Sequence, residues 1–502
     1  MLIILDGYGY REETEANAIA MANKPFIDGF ASQFPSRTIE ASGQPVGLPY
    51  GTQGNSEVGH LNLGAGRMVT QDITKIDLAI ETGQFKRNPK ILAHLAEVES
   101  HRGDLHIMGL ISDGSVHSHI RHLMELIPMV ASNFRGNVFI HAATDGRDTY
   151  NESGVNFIRD LQDAIAPYPN FHIASIMGRF FLMDRDKRWE RVARAYRAIA
   201  NHEGREVTDA LEAIKHSYAM GITDEYIEPS VVRMDDSLDP RVKDGDGIIF
   251  TNFRADRARE IVRAFVGEDF PHFPCRKFRH LSFIGFTLYQ EDLPIEIAFP
   301  VEDIPQTLVE VITSSGLKVF KTAETEKYAH VTYFFNGGKE TPPANEVHKL
   351  IPSPHVETYD QKPEMSAPMV ADTVIEAFGG EYGLIVVNFA NPDMVGHTGV
   401  LEATIKGIEV VDNCLRRVWE AKPDDFEVII TADHGNAELM VDFINGGPHT
   451  SHTTNPVPFY LLNKNYSLRE GEAALKDVAP TILQLMGIEQ PAVMTGRSLI
   501  AG

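Results

Sequence analysis

The sequence predicts an α/β protein with mostly parallel sheets, in which one discontinuous domain is interrupted by an inserted domain. Short apolar runs alternate with longer stretches of helical periodicity, and several runs are apolar throughout, as strands buried on both faces are. Polar clusters follow many of these runs. A chain of 502 residues is also too long for one hydrophobic core, so we expect two or three domains.

Nine short apolar runs are predicted to be strands. They are residues 2–5, 106–110, 138–141, 172–177, 247–250, 282–287, 319–321, 384–388 and 428–431. Between them, residues 188–201 and 404–421 carry apolar side chains at helical spacing and are predicted to be helices.

The composition narrows the class of protein. Lys and Arg number 46 and Asp and Glu 70, so the formal net charge of −24 argues against nucleic-acid or anionic-membrane binding. An anionic substrate would need local basic residues or metal ions. The two cysteines, Cys275 and Cys414, argue against a disulfide framework. No stretch resembles a signal peptide or a membrane helix, so we expect a cytoplasmic protein.

Side chains of the metal-binding type follow three of the predicted strands. Asp6 follows the first run, Asp393 and His397 the eighth, and Asp433 with His434 the ninth. Since parallel strands end at one edge of a sheet, these side chains are expected to gather there. Carboxylates and neutral imidazoles suit Mn²⁺, Zn²⁺ or Mg²⁺, and two such cations can support phosphoryl transfer.

Two further residues near these clusters are candidates with open alternatives. His452 is a candidate ligand, but His449 lies three residues earlier and the local pattern does not separate them. Ser56 is a candidate nucleophile and also a candidate helix N-cap. The two roles are compatible, because a helix N-terminus stabilises an anion such as a phosphoserine.

A different set of polar residues occupies residues 112–257. It is rich in arginines that follow strand-like runs, namely Arg147, Arg179, Arg185, Arg254 and Arg257. The planar guanidinium group matches phosphate and carboxylate, so this segment is predicted to bind an anionic substrate.

Three more residues are candidates for substrate chemistry. Asp148 is a candidate general acid/base for a substrate hydroxyl, and His117 for binding a phosphate or moving a proton. Lys327 could neutralise a transferring phosphoryl group. Its alternative role is a salt bridge with Glu324 or Glu326.

The positions of the two sets indicate the domain organisation. Residues of the metal-binding type occupy the first 60 positions and those after 390, with the arginine-rich set between them. The chain is therefore expected to cross between domains near residues 71–77 and near residues 299–305, where two prolines occur.

Long motifs give the sequence a family resemblance. They are, in order, Leu-Asp-Gly-Tyr-Gly, Gly-Asn-Ser-Glu-Val-Gly-His-Leu-Asn, Ser-Asp-Gly-Ser-Val-His-Ser-His, Asp-Gly-Arg-Asp-Thr, Met-Asp-Arg-Asp-Lys-Arg-Trp-Glu-Arg, Asn-Phe-Arg-Ala-Asp-Arg, Glu-Thr-Glu-Lys-Tyr-Ala-His-Val-Thr, Pro-Asp-Met-Val-Gly-His-Thr-Gly and Thr-Ala-Asp-His-Gly-Asn-Ala-Glu. From about Leu2 to Leu499 the chain resembles the cofactor-independent (2,3-bisphosphoglycerate-independent) phosphoglycerate mutases of the alkaline phosphatase superfamily.

The resemblance implies a fold and an activity. Residues 1–71 and 303–502 would form an alkaline-phosphatase-like metal domain, and residues 72–302 an inserted α/β phosphotransferase domain that binds substrate. The enzyme would be an isomerase of glycolysis and gluconeogenesis. It would interconvert 3-phosphoglycerate and 2-phosphoglycerate through a phosphoserine, without bisphosphoglycerate. The family also implies a monomer.

The resemblance also implies roles for individual residues. One metal ion would be held by Asp393, His397 and His452, and the other by Asp6, Ser56, Asp433 and His434. The substrate set would be His117, Arg147, Asp148, Arg179, Arg185, Arg254, Arg257 and Lys327. Mn²⁺ is the expected metal, with Mg²⁺, Co²⁺ and Zn²⁺ as alternatives.

Two other functions remain open at the level of sequence. A metal-dependent phosphatase or phosphopentomutase of the same superfamily would share Ser56, Asp393 and Asp433, but the motifs of the inserted segment match the glycerate mutase. A non-catalytic protein that kept the fold would have no need for the complete set of seven metal-type ligands.

Overall fold

The computed structural model describes residues 1–300, 303–443 and 446–501. Its strands, in chain order, are β1 (Leu2–Leu5), β2 (Ser36–Ile39), β3 (Leu105–Leu110), β4 (Val138–Thr144), β5 (Phe171–Gly178), β6 (Arg205–Val207), β7 (Ser230–Val232), β8 (Gly247–Phe250), β9 (Ser282–Gly285), β10 (Glu296–Ile297), β11 (Lys318–Glu324), β12 (Glu346–Ile351), β13 (Tyr382–Phe389), β14 (Ile429–Thr431) and β15 (Val457–Leu461).

Helices alternate with the strands over most of the chain. They are α1 (Ala18–Met21), α2 (Pro25–Gln33), α3 (Ser56–Ala65), α4 (Asp72–Glu81), α5 (Pro89–Ser100), α6 (Ile120–Asn133), α7 (Gly154–Ile165), α8 (Arg179–Leu182), α9 (Trp189–Ala200), α10 (Ala210–Ala219), α11 (Arg259–Val266), α12 (Leu308–Ser314), α13 (Thr325–Ala329), α14 (Ala367–Ala377), α15 (Asn391–Gly396), α16 (Leu401–Ala421) and α17 (Val478–Leu485). A π-helical turn, His330–Phe334, follows α13.

The predicted elements are confirmed, with shifted ends. All nine apolar runs form strands, and the two predicted helices are α9 and α16. Six short strands were not predicted: β2, β6, β7, β10, β12 and β15. The α/β fold class is therefore correct, with more strands than the apolar runs alone indicated.

By its internal contacts the chain divides into two compact units. The terminal unit comprises Met1–Gln71 and Asp303–Gly502, and the inserted unit comprises Asp72–Glu302. Of the second crossing expected from sequence, residues 301 and 302 lie outside the described residues.

The terminal unit is built on a seven-stranded sheet of order β12-β11-β13-β1-β14-β15-β2. The first five strands are parallel, and β15 runs antiparallel to both β14 and β2. The short strand β1 is central, pairing with β13 on one side and β14 on the other. The carboxyl ends of these three strands therefore lie side by side at one edge.

The inserted unit is built on an eight-stranded sheet of order β10-β9-β8-β3-β4-β5-β7-β6. All neighbouring strands are parallel except β5 and β7. Alternate residues of the strands belong to two different buried apolar clusters. One cluster contains Ile107, Ile140 and Ile249, and the other contains Met108, Ala143 and Ile248. The alternation shows that helices cover both faces of this sheet.

Among the residues that the structure describes, no helix is both long enough and apolar enough to cross a membrane.

Candidate active site

The first strand places Asp6 at the edge of the terminal unit's sheet. Leu2–Leu5 are buried between two parallel neighbours, and the fully buried Asp6 follows where the strand ends. Gly7 then turns the chain with a φ of +70°, and a Cβ atom on it would lie 2.7 Å from the Cα atom of Asp393. A larger residue at position 7 would push Asp6 away from Asp393.

Helix α3 presents Ser56 at its first turn. Asn55 caps this helix by accepting a hydrogen bond from a first-turn backbone N–H group. The buried Ser56 Oγ atom lies 3.2 Å from Asp6 Oδ1, 3.0 Å from His434 Nε2 and 2.8 Å from Lys327 Nζ. The hydroxyl thus meets a carboxylate, an imidazole and an ammonium group at a helix N-terminus.

Lys327 is buried among carboxylates. Its Nζ atom lies 2.7 Å from Asp6 Oδ1 and 2.6 Å from Asp393 Oδ2, so it does not form the local salt bridge with Glu324 or Glu326 that was the alternative. Burial alone would lower the pKa of Lys327, but attraction to Asp393 and Asp6 outweighs it and raises the pKa. Lys327 is therefore a fixed positive charge beside Ser56.

Two imidazoles converge on Asp393. The Nε2 atoms of His397 and His452 lie 3.0 Å apart, and 3.2 and 3.3 Å from Asp393 Oδ1. Each Nδ1 atom faces a backbone carbonyl, that of Thr450 at 2.7 Å for His397 and that of Gly54 at 2.9 Å for His452. Because a carbonyl only accepts, both Nδ1 atoms carry the hydrogen. In the neutral rings, both Nε2 lone pairs then face the carboxylate.

Asp433 and His434 complete this cluster. Asp433 Oδ1 accepts a hydrogen bond from the Gly7 backbone at 3.2 Å, while its buried Oδ2 accepts no hydrogen bond from the described residues and lies 3.1 Å from His60 Nδ1. Burial disfavours protonated His434, but the carboxylates of Asp433, Asp6 and Asp393 overcome this and raise its pKa to about 10. Such a shift shows a strongly negative potential at this point.

The donor set fits divalent cations. Three groups place carboxylate and imidazole atoms close enough to share an ion: Asp393, His397 and His452; Asp6, Asp393 and His434; and Asp6, His60 and Asp433. The converging Nε2 lone pairs and the Asp433 Oδ2 atom, which accepts no hydrogen bond from the described residues, would all be satisfied by cations. Oxygen and nitrogen donors of this kind suit Mn²⁺, Zn²⁺ or Mg²⁺.

In the inserted unit, Arg179 is buried beside two carboxylates. Its Nη1 atom donates to Asp145 Oδ1 at 2.8 Å and to Asp148 Oδ2. Asp145 also accepts hydrogen bonds from the backbone of Arg147 and Asp148 and from the hydroxyl of Ser112. Asp145 therefore holds the turn that carries Arg147 and Asp148.

Another carboxylate of the inserted unit, that of Asp256, lies beside three more of the predicted residues. Its oxygens lie 2.9 Å from Arg185 Nη1, 3.4 Å from Arg254 Nε and 3.6 Å from His117 Nδ1. Burial, followed by the positive charge of Arg179, lowers the pKa of His117 to about 4, so this imidazole is neutral near pH 7.

The remaining arginines lie near this group. Arg257 Nη1 donates to the backbone carbonyl of Met183 at 3.0 Å. The pKa of Arg257 is lowered first by burial and then by the charges of Arg185, Arg179 and Arg147. Arg147 is half exposed and pairs with Glu225 at 3.3 Å. The concentration of positive charge is notable in a chain with a net charge of −24.

The structure thus sorts the predicted residues into two groups. Ser56 and the metal-type residues gather in the terminal unit, and the arginines with His117 and Asp148 gather in the inserted unit. Lys327, predicted with the substrate set, lies with the metal-type residues. His452, and not His449, lies beside Asp393.

Sequence reasoning missed several partners of these residues: His60, Asn388, Asn436 and Glu438 in the terminal unit, and Asp145 and Asp256 in the inserted unit. All of them except Asp256 are buried. For example, the Asn388 amide donates to Asp6 Oδ2 at 2.7 Å and contacts His60 Nε2 at 3.0 Å. The signal in the sequence was their position, because five of the six stand inside the quoted motifs and Asn388 lies four residues before the start of one of them.

Comparison with known proteins agrees with this arrangement. The family model "BPG-independent PGAM N-terminus (iPGM_N)" matches residues 76–291, and "Type I phosphodiesterase / nucleotide pyrophosphatase" matches residues 279–468. The 2,3-bisphosphoglycerate-independent phosphoglycerate mutases of Lachnoclostridium phytofermentans and Moorella thermoacetica are each 48% identical, covering 100% of this chain and 98% of theirs.

A solved structure shares the whole fold. The phosphoglycerate mutase of Leishmania mexicana, crystallised at low cobalt concentration, matches with a TM-score of 0.74 and 34% identity, covering 100% of this chain and 97% of that one. Fold and site together define an enzyme of the alkaline phosphatase superfamily with a candidate centre for divalent metal ions. Within it, the chain belongs to the 2,3-bisphosphoglycerate-independent phosphoglycerate mutases, as the motifs predicted, and is an isomerase.

Proposed function

We propose that Ser56 carries the phosphoryl group while the enzyme interconverts 3-phosphoglycerate and 2-phosphoglycerate. The observation that carries this proposal is the position of the Ser56 hydroxyl, which is buried at the first turn of α3 beside Lys327 and the metal-type residues. The first-turn N–H groups of a helix favour an anion, so this position suits a phosphoserine.

The terminal unit would perform the transfer. The Ser56 hydroxyl loses its proton to solvent before the substrate binds, and Asp148 is protonated at that stage. The Ser56 oxygen then attacks phosphorus, the bond between phosphorus and the substrate oxygen breaks, and Lys327 neutralises negative charge on the phosphoryl group. Asp393, His397 and His452 would hold one metal ion, and Asp6, Ser56, Asp433 and His434 the other. When bound, two divalent cations would lower the pKa of the serine hydroxyl and stabilise the charge of the transferring group.

The metal is proposed to be Mn²⁺. Oxygen and nitrogen donors also accept Mg²⁺, Co²⁺ and Zn²⁺, and the choice among them depends on geometry and availability. The chemistry of the ligand set supports a divalent ion of this group, and metal analysis of the purified enzyme would identify it.

The inserted unit would bind the glycerate. The guanidinium groups near Arg257 would hold its carboxylate and phosphate, and His117 would contact a phosphate oxygen as a neutral donor. Asp148 would give a proton to the oxygen at carbon 3 as phosphoryl transfer frees it. After the glycerate reorients, Asp148 would take the proton of the hydroxyl at carbon 2 as this oxygen attacks the phosphoserine.

The two units would therefore divide the work. Residues 1–71 and 303–502 would be the phosphatase-like metal domain, and residues 72–302 the phosphotransferase domain. A role in glycolysis and gluconeogenesis, a cytoplasmic location and a monomeric state remain predictions, which enzyme assays in extracts, cell fractionation and sedimentation would test.

The central experiment is turnover of 3-phosphoglycerate without added 2,3-bisphosphoglycerate, with Mn²⁺ present, followed by phosphorus NMR. We expect 2-phosphoglycerate to form much faster than inorganic phosphate. Ser56→Ala should abolish both products, whereas Ser32→Ala, which changes an exposed serine of α2, should leave turnover unchanged. Phosphate release as fast as isomerisation would favour a phosphatase, and turnover by Ser56→Ala would refute the proposed nucleophile.

A further inference from the structure

Glu438 is a buried carboxylate that the proposed reaction does not use. It lies five residues after Asp433 and is fully buried. Its Oε2 atom accepts hydrogen bonds from the backbone N–H groups of Gly9 at 3.1 Å and Asn436 at 2.8 Å. Its Oε1 atom accepts from the Thr453 hydroxyl and from the Asn455 amide at 2.9 Å.

These four donors come from three separate segments of the chain. Gly9 lies three residues after Asp6, Asn436 two residues after His434, and Thr453 directly after His452. A single carboxylate therefore fastens the three segments that carry Asp6, His434 and His452, at a point where only tertiary structure brings them together.

Two of these hydrogen bonds connect Glu438, through one further residue each, to the metal-type residues His452 and Asp393. Through Thr453, Glu438 fixes the residue next to His452. Through the backbone of Asn436, it fixes a side chain whose Nδ2 atom donates to Asp393 Oδ1 at 2.8 Å. Asp393 Oδ1 is the oxygen that the Nε2 atoms of His397 and His452 approach.

The hydrogen bonds also retain charge in the interior. All four donors are neutral, so they satisfy the oxygens of Glu438 without cancelling its negative charge. In a buried region, that charge adds to the attraction for a cation because screening by water is weak.

We infer that Glu438 is a positioning residue for the metal ion held by Asp393, His397 and His452. This inference rests on the metal site of the proposed function. Residues that orient metal ligands commonly contribute about 10–100-fold to metal affinity. Glu438→Gln keeps the shape but replaces one oxygen by an NH₂ group, which meets donors on whichever side it lies, and it removes the charge.

The test is a titration of chelator-treated enzyme with Mn²⁺ at constant pH, with free Mn²⁺ read from its electron paramagnetic resonance signal. Wild type should bind two ions. In Glu438→Gln, one of the two should bind about 10–100-fold more weakly. Turnover should recover largely when Mn²⁺ is raised to saturation, because the residue acts through the metal and does not touch substrate.

A second pair of variants tests one contact alone. Thr453→Val removes the hydroxyl donor at constant shape and should weaken the same ion, whereas Thr453→Ser keeps the hydroxyl and should bind nearly as wild type does. This pair retains the native carboxylate, so it tests the inference even if Glu438→Gln does not fold.

A remote carboxylate supplies the matched control. Asp412 is also buried and accepts two backbone N–H groups, those of Phe26 at 3.3 Å and Ile27 at 2.7 Å. Asp412→Asn should lower the melting temperature without changing either Mn²⁺ affinity.

The possible outcomes separate the two proposals. Two wild-type Mn²⁺ affinities in both Glu438→Gln and Thr453→Val, with only a lower melting temperature, would overturn the positioning role and leave the metal site intact. Failure of wild type itself to bind two Mn²⁺ ions would instead refute the two-metal site and this inference with it.

Discussion

The Nε2 atoms of His397 and His452 lie 3.0 Å apart, while each Nδ1 atom faces a backbone carbonyl. Two neutral imidazoles in this arrangement direct lone pairs at one another, which is unfavourable without a shared cation or proton. The contact joins residues separated by 55 positions and forms the part of the site most specific for a metal.

His452→Ala should therefore remove one metal ion. We expect the bound Mn²⁺ to fall from two ions per chain to one, because the remaining imidazole and carboxylate of that set provide too few ligands. The neighbouring His449 offers a matched control, since it does not contact Asp393. His449→Ala should still bind two ions. Loss of an ion in His449→Ala but not in His452→Ala would show that His449, and not His452, is the ligand.

Lys327→Met should separate catalysis from metal binding. Loss of the ammonium group should lower turnover by about 10²–10³-fold, as loss of a charge-stabilising donor does in other enzymes. Mn²⁺ affinity should stay the same or rise, because Asp6 and Asp393 lose a competing positive charge. Lys349→Met changes an exposed lysine paired with Glu376 and should alter neither quantity. Weaker Mn²⁺ binding by Lys327→Met would contradict the electrostatic argument.

Asp148→Asn tests the proton transfer. The mutase rate should fall about 10²–10⁴-fold, because an amide cannot exchange the proton of the glycerate hydroxyls. Formation of phosphoserine from labelled 3-phosphoglycerate should persist in part, since Ser56 is unchanged. The exposed Asp160 of α7 provides the control, and Asp160→Asn should be fully active. Full mutase activity in Asp148→Asn would show that another group carries the proton.

His94 should make the inserted unit sensitive to acid. Burial lowers the pKa of His94 from 6.5 to about 3. The unfolded chain therefore takes up a proton as the pH falls through 6.5 while the folded chain does not, and stability is lost between these two values. At pH 5.5 this one group should cost about 1.4 kcal/mol of unfolding free energy relative to pH 7.5.

His94→Gln should lack this pH-dependent loss of unfolding free energy. The difference in unfolding free energy between wild type and variant, measured by urea unfolding of the whole chain at both pH values, should shift by that amount in favour of the variant at the lower pH. Equal pH dependence of the two proteins would show that the pKa of His94 is the same in the folded and the unfolded chain.

Two helical glycines should respond in opposite directions to substitution by alanine. A Cβ atom at Gly64 of α3 would collide with the backbone oxygen of Phe335, so Gly64→Ala should destabilise the protein by about 1–3 kcal/mol. It should also reduce turnover, because α3 carries Ser56. At Gly29 of α2 the nearest neighbour is 3.5 Å away, and Gly29→Ala should stabilise by about 0.5–1 kcal/mol. Thermal unfolding of both variants checks this contrast.

The strands that sequence reasoning found are those whose signal is local. Buried parallel strands such as β1 and β13 are apolar almost throughout, so their sequence reveals them. The strands that it missed are short or lie toward the sheet edges. In β12, at a sheet edge, Val347 and Leu350 are exposed, and β15 contains Pro458. Neither strand therefore has the sequence pattern of a buried parallel strand.

The sequence by itself determined the α/β class, the chemical types of the site residues and the strand ends that carry Asp6, Asp393 and Asp433, because hydrophobic runs and the residues after them are adjacent in the chain. Only the tertiary structure decided that His452 rather than His449 faces Asp393. It also decided that Lys327 pairs with Asp6 and not with its sequence neighbours Glu324 and Glu326, and that Glu438 connects three segments of the chain. Those choices depend on contacts between residues up to 429 positions apart, whose energies no local pattern contains.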